Sequence, residues 1–271
     1  MNGASREALA AARERLDALT DSRSVDAVRL ADELAAVTAL LDREVSLRRV
    51  LTDPAQAGEA KATLVRGLLS AQIGDATTDL LSGMVRSRWS QPRDLVDALE
   101  QLADTADLTA AQRRGTLDNV EDELFRFSRI ISSNTGLRAA LTDHTATAAA
   151  KTELLRRLLG GRADAVTERL VTRLVTAPRG RSLEAGLESL SGFAAQRRGR
   201  MVAVVTSAVP LSDRQKQRLG DALAKLYGRT MHLNLDVDPE VVGGMRVQVG
   251  DEVINGSVAD RLDTAARRMA G

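Results

Sequence analysis

The chain has 271 residues, 44% hydrophobic and 28% charged, a balance that suits a soluble globular protein long enough for more than one domain. Its 38 basic and 37 acidic residues nearly cancel and interleave, and with one Trp, one Tyr and three Phe it lacks the rings on which single-stranded nucleic acid stacks. Without cysteine there is no disulfide or thiol chemistry, the N-terminus does not read as a secretory signal, and no apolar run approaches the roughly 18 residues of a bilayer span. Any membrane association is therefore expected through a partner.

The first 200 residues read as a tandem repeat at a constant offset of 90. Asp32-Glu33-Leu34 recurs as Asp122-Glu123-Leu124, Leu51-Thr52-Asp53 as Leu141-Thr142-Asp143, and Ala60-Lys61 as Ala150-Lys151. Only four lysines occur in the chain, and two of them occupy equivalent places. Within each copy the apolar residues keep helical spacing. Leu30, Leu34, Val37 and Leu41 share one helix face, as do Val120, Leu124, Phe127 and Ile131. A break at Leu-Thr-Asp follows, then an amphipathic segment around Leu64 and Leu68, or Leu154 and Leu158. A third segment runs through Leu80, Met84 and Val85, or Leu170, Leu174 and Val175, and a further helix carries Leu183, Leu187, Leu190 and Ala194. Each copy is expected to be an antiparallel helical bundle with its stripes inward. Leu95 to Leu108 closes one bundle and opens the next, which places the boundary near residue 105.

After Arg200 the period changes. Met201 to Val205 reads as a strand, and Ser212 stands three residues before Gln215, the spacing of a capping box. The helix that follows is expected to turn Leu219, Leu223 and Leu226 inward and to end at Gly228. Leu233, Leu235 and Val237 alternate with polar residues as a half-buried strand, and Met245, Val247 and Val249 form another. Gly250-Asp251 or Asn255-Gly256 could each turn a hairpin, and a last helix carries Val258, Leu262, Ala265 and Met269. The expected fold class is mainly α: bundles at 1–105 and 106–199, then a small α+β domain at 200–271.

Catalytic chemistry finds no foothold. His144 and His232 fall in different domains, and neither has a His or Cys neighbour at ligand spacing. His232 is expected on the polar face of its strand. The carboxylates mostly interleave with arginine, as in Glu153/Arg156/Arg157 and Asp260/Arg261, which reads as solvated ion pairs on helix surfaces. Gly243-Gly244 lacks the Lys-Ser/Thr end of a phosphate loop, Gly160-Gly161 lacks the preceding strand, and both read as turns. No catalytic, metal or cofactor residue is expected.

The tail carries a resemblance. Ser207, Pro210 and Leu211 in Val-Thr-Ser-Ala-x-Pro-Leu-Ser, Asp238 before Pro239, Gly243-Gly244, and the run Gly250-Asp251-x-Val-Ile-x-Gly256-Ser257-Val resemble the C-terminal signature of the F-type ATP synthase delta subunit family, whose mitochondrial counterpart is the oligomycin sensitivity-conferring protein. Residues 106–271 resemble a whole ordinary member; Asn255 replaces the usual Asp, and the first copy is additional, as in the delta proteins of actinobacteria. The resemblance implies a non-catalytic stator subunit, peripheral on the cytoplasmic face of the plasma membrane. Its helical bundle would bind the N-terminal segments of the alpha subunits, and its C-terminal domain the b-type stalk. Three other readings are a helical-repeat scaffold of another complex, a nucleic-acid-binding protein, and an enzyme whose active site forms between domains. The second requires arginines clustered on one side and steep salt dependence.

Overall fold

The computed structural model describes residues 2–21, 25–199, 201–227, 231–238, 241, 244–249 and 252–255. They form two compact units, Met1–Arg197 and Arg198–Gly271.

The first unit is all helix: α1 (Gly3–Asp21), α2 (Ala27–Arg43), α3 (Val45–Thr52), α4 (Gly58–Leu69), α5 (Asp75–Arg86), α6 (Pro92–Arg113), α7 (Leu117–Ser133), α8 (Thr135–Thr142), α9 (Ala148–Leu159), α10 (Ala165–Thr176) and α11 (Leu183–Gly199). Alanine, leucine and arginine favour helix through most of this span, and local signals set the ends. Asp26 accepts from the Val28 and Arg29 N–H groups, Asn134 from Leu137, Thr147 from Ala150 and Asp164 from Val166, while Pro92 opens α6. The duplication is visible in the boundaries. Helices α2 to α5 recur as α7 to α10, with start and end points shifted by 90 residues.

One part-buried contact repeats with the same offset. Glu33 accepts from the Gly74 N–H at 3.0 Å and from the Thr77 hydroxyl; Glu123 accepts from the Asp164 N–H at 2.9 Å and from the Thr167 hydroxyl. Each carboxylate therefore satisfies donors at the start of the helix three elements further on, where the helix dipole also favours it. Burial works to raise the Glu33 pKa, but bonds from Thr77, Arg29 and the Gly74 N–H outweigh it and hold the group below its usual range. Glu33→Ala or Glu123→Ala should each cost about 2 kcal/mol, read as a lower urea midpoint with an unchanged slope. A loss within the error of a surface substitution would show that these contacts do not hold the connections.

The repeated lysines have a local structural role. Lys61 is buried and its Nζ lies 3.4 Å from the Asp53 carbonyl, at the C-terminal end of α3, where a cation is favoured. Lys151 is also buried at the equivalent place in α9, and its charge acts on Asp143 at the end of α8.

Residue 105 lies within α6, so no linker separates the copies. Helix α6 serves both. Leu95, Val96, Leu99, Leu102 and Ala106 enter the first hydrophobic core, and Leu108 and Ala111 enter the second. The starts of α1, α6 and α11 are again about 90 residues apart, so α6 closes the first bundle and opens the second. The core stripes follow the sequence periodicity, with one exception. In α4 the inward residues are Lys61, Ala62, Val65 and Leu69, and Leu68 is 47% exposed; in α9, Lys151 and Leu155 are buried and Leu158 only partly so. The expected stripe there was displaced by one position, because alanine and an aliphatic lysine stem occupy half of the true one.

The second unit contains β1 (Met201–Ser207), α12 (Asp213–Tyr227), β2 (Met231–Val237), β3 (Met245–Val249) and β4 (Glu252–Asn255). The sheet order is β2-β1-β3-β4, with β1 parallel to β2 and antiparallel to β3, and β3 antiparallel to β4. The parallel pair requires a crossover, which α12 supplies. Ala203, Val205, Val247 and Val249 pack with Leu223 in a small core. Leu226 is 66% exposed, contrary to the expected stripe; Tyr227, four residues after Leu223, packs inward instead. On the edge strand β2, Leu233 reaches the core, whereas Leu235 and Val237 are largely exposed.

The capping spacing is used. Gln215 Oε1 accepts from the Ser212 N–H at 2.9 Å and from its hydroxyl at 2.6 Å, so the serine hydroxyl donates here, where the capping box had it accepting from the Gln215 N–H. Val249 opposite Glu252 leaves two residues between β3 and β4, at the place of Gly250-Asp251. Those two residues, the Gly228 cap, the side chain of His232 and the last helix through Met269 lie outside what the structure describes.

Candidate docking groove in the second repeat

The second copy carries a groove of about 560 Å³ between α8, α10 and the start of α11. Its floor is apolar: Leu141 from α8, Leu174 and Val175 from α10, and Leu183 from α11, each no more than 5% exposed. Ala139, Thr142 and His144 line it as exposed residues. Arg138, Lys151 and Arg181 bring positive charge to the lining, against Glu184 alone among the lining carboxylates. Arg138 spans from α8 to Glu184 on α11 at 3.4 Å, with both side chains 42% exposed, so this pair is weak and displaceable. Asp143, at the end of α8, is held below its usual range by bonds from the Thr145 hydroxyl and N–H, with the Lys151 charge adding to them.

Arg181 links the groove to a line of ion pairs along α6. Asp97, Glu100, Asp104 and Asp107 are spaced three, four and three residues apart, which puts them on one helix face. Opposite them stand Arg169 and Arg173 of α10 and Arg179 and Arg181 of the connection to α11. Arg173 bonds Asp104 and Asp107, both at 2.7 Å; Arg169 bonds Asp107 at 2.8 Å and Asp32 of α2 at 2.6 Å. Arg179, at φ 52°, turns inward to Asp97 at 2.6 Å and Glu100 at 3.0 Å, and Arg181 meets Glu100 at 2.5 Å. Burial raises the Asp104 pKa to about 6 against the pull of Arg173.

The general expectation of solvated ion pairs fails at this seam, where the Asp107 side chain is fully buried. It holds for Glu153, which pairs with Arg156 and Arg157 on an exposed surface. The three-four-three spacing of acids in α6 was the signal that separates the two cases.

Among the described signature residues, Ser207, Asp238 and Gly244 lie at one end of the sheet. The Ser207 hydroxyl donates to the Val209 carbonyl at 2.7 Å, and the Asp238 N–H donates to the Ser207 carbonyl at 3.0 Å. Pro210 is exposed, Leu211 packs on the small core, and Gly244 is exposed immediately before Met245, the register partner of Ser207. Gly243, Gly250, Asp251, Gly256 and Ser257 lie outside the described residues. Gly161 adopts φ 70° in the turn between α9 and α10, as its neighbours suggested.

The second unit and the second copy together match one family model, described as ATP synthase delta (OSCP) subunit, over residues 105–269. Similarity to individual proteins extends over the whole chain, first copy included. A protein named ATP synthase subunit delta from Streptomyces avermitilis is 79% identical across 99% of this chain and 98% of its own length. Counterparts of the same name from Streptomyces griseus and Thermobifida fusca are 76% and 47% identical, each over the full length of both chains. With the model covering more than half of the sequence and these relatives spanning the remainder, the chain belongs to the ATP synthase delta (OSCP) subunit family.

Proposed function

We propose that the groove of the second copy receives an amphipathic N-terminal segment of an alpha subunit of the catalytic head, while the C-terminal unit holds the membrane-anchored b-type stalk. The chain is a non-catalytic stator subunit of the ATP synthase. Its working surfaces are docking surfaces, and resisting the torque of the rotor requires extended contacts. In this reading residues 1–105 are an added bundle, 106–199 the delta-type bundle and 200–271 the stalk-binding domain. Ser207, Pro210, Leu211 and Asp238 are structural positions of that last domain in this reading. The chain would work on the cytoplasmic face of the plasma membrane and meet the membrane only through its partners. Among the described residues no helix is long and apolar enough to cross a bilayer.

One observation supports this assignment above others: an open groove with an aliphatic floor and a mainly cationic lining, the shape and chemistry that accept one face of an amphipathic helix carrying a carboxylate. Ala139 is exposed within it, so Ala139→Glu alters the groove without disturbing the core. Titration of a labelled alpha N-terminal peptide should show at least tenfold weaker binding to this variant, with an unchanged thermal midpoint. Equal affinity for both proteins would place the alpha contact elsewhere.

A further inference from the structure

The equivalent positions 17, 107 and 197, 90 residues apart, carry Asp on α1, Asp on α6 and Arg on α11. Arg197 is 7% exposed and joins all three helices. Its Nη1 donates to Asp17 Oδ1 at 2.6 Å, and its Nε donates to Gln112 Oε1 of α6 at 2.7 Å. Two further contacts tie α1 and the connection between α1 and α2 to α6. Arg13 Nη2 donates to Gln101 Oε1 at 2.9 Å, and Arg113 Nη1 to the Val25 carbonyl at 2.8 Å. Arg197 is also the last residue of the helical unit; α11 ends at Gly199 and β1 begins at Met201, with one residue between them.

We infer that Asp17 is a positioning residue for torque transmission: acting through Arg197, it fixes the last turns of α11, where the helical unit hands over to the C-terminal unit. The first copy is then an internal brace, contributing stiffness rather than another docking platform. The physical reason is the ordinary weakness of a helix end. The final carbonyls of a helix lack partners and its last turn opens most easily. A guanidinium held at two points by other helices suppresses that opening. Both charges are buried, so removal of the acid leaves the cation uncompensated and favours release of the helix end.

The connection with torque rests on the stator reading; the effect on α11 does not. Hydrogen exchange on the isolated full chain therefore tests the brace first. Asp17→Ala should raise exchange over residues 190–199 at least tenfold and leave the amides of α2 and α7 at their original rates. The swap of Asp17→Arg with Arg197→Asp should restore most of the protection, since the Gln112 amide can present its NH₂ to the new carboxylate. Unchanged exchange at α11, or equal opening of α2, overturns the inference. In the complete enzyme, Asp17→Ala should lower proton pumping per ATP hydrolysed while hydrolysis itself continues. Full pumping with a loosened α11 would overturn the role in torque and leave the alpha and b docking reading untouched.

Discussion

Arg173→Met should be among the most damaging single substitutions in the helical unit, costing about 3–5 kcal/mol at neutral pH. The arginine bonds Asp104 and Asp107 together, and removing it leaves Asp104 buried and without its α10 partner, its pKa pushed higher still; Asp107 keeps Arg169. A loss of that size is a large part of the total stability of an ordinary domain. The effect should also depend on pH in an unusual direction. Burial has already lifted Asp104 to about 6, so between about 4 and 6 the folded protein holds a proton that the unfolded chain has released. Stability contributed by this group therefore rises as pH falls from 7 towards 4, by at most roughly 3 kcal/mol. Most acid-sensitive carboxylates do the reverse. Urea midpoints measured from pH 4.5 to 7.5 should show the rise in the parent protein and its loss in Asp104→Asn. In Arg173→Met the deficit should shrink at pH 5, where a proton neutralises Asp104 in place of the guanidinium. A deficit that is constant across that range would mean that Asp104 is not the group responsible.

Removal of residues 1–105, the cut that the repeat boundary suggests, should yield a fragment that does not unfold cooperatively. The cut falls inside α6 and discards Asp97, Glu100 and Asp104, leaving Arg179, whose side chain is 4% exposed, without the two acids it meets on that helix. A fragment starting at residue 91 keeps α6 and all four of its seam acids, losing only the α2 partners Asp32 and Asp42. It fails in a different way, because Leu95, Val96, Leu99 and Leu102 lose the first core and become an exposed apolar stripe. Each such side chain is worth about 1.5–3 kcal/mol when buried, enough to drive association when bare. The 91–271 fragment with Leu95, Leu99 and Leu102 changed to Gln should therefore be monomeric, helical by circular dichroism and cooperative in urea. Equal behaviour of the 106–271 fragment would show that the seam is dispensable. The longer fragment is also the proper one for locating the alpha-binding groove, since loss of binding in the shorter one could reflect unfolding alone.

How much the sequence discloses varies with the kind of contact. The helices α2 and α7 were legible because Leu30, Leu34, Val37 and Leu41, and their counterparts, are large, apolar and strictly periodic. In α4 the inward stripe uses Ala62 and the stem of Lys61, residues that a hydrophobicity pattern undervalues, so Leu68 drew the assignment to the wrong face. The boundary near 105 was drawn from where one set of stripes stopped and another started. That reading carries no information about whether the backbone bends there, and α6 runs straight through. The docking groove was accessible only in general terms, as a bundle with an apolar face. Its lining comes from helices α8, α10 and α11, brought together by the chain's tertiary path. The Asp17–Arg197 pair, 180 residues apart in sequence, has no local signature.

The shared helix has a consequence for how such a chain can grow. Two separate six-helix bundles would have needed twelve helices and a tether; sharing α6 accomplishes the same with eleven. The modular unit is thus five helices in 90 residues, and a tandem insertion of that length joins in phase, one helix of each new unit taking the shared place that α6 now occupies. Lengthening α6 itself by one or two residues would rotate its two halves relative to each other, about 100° per residue, and turn its acids away from their arginines. The period of the repeat is therefore a mechanical constraint as well as a trace of ancestry. Evolution can add or remove whole units here far more readily than it can trim one.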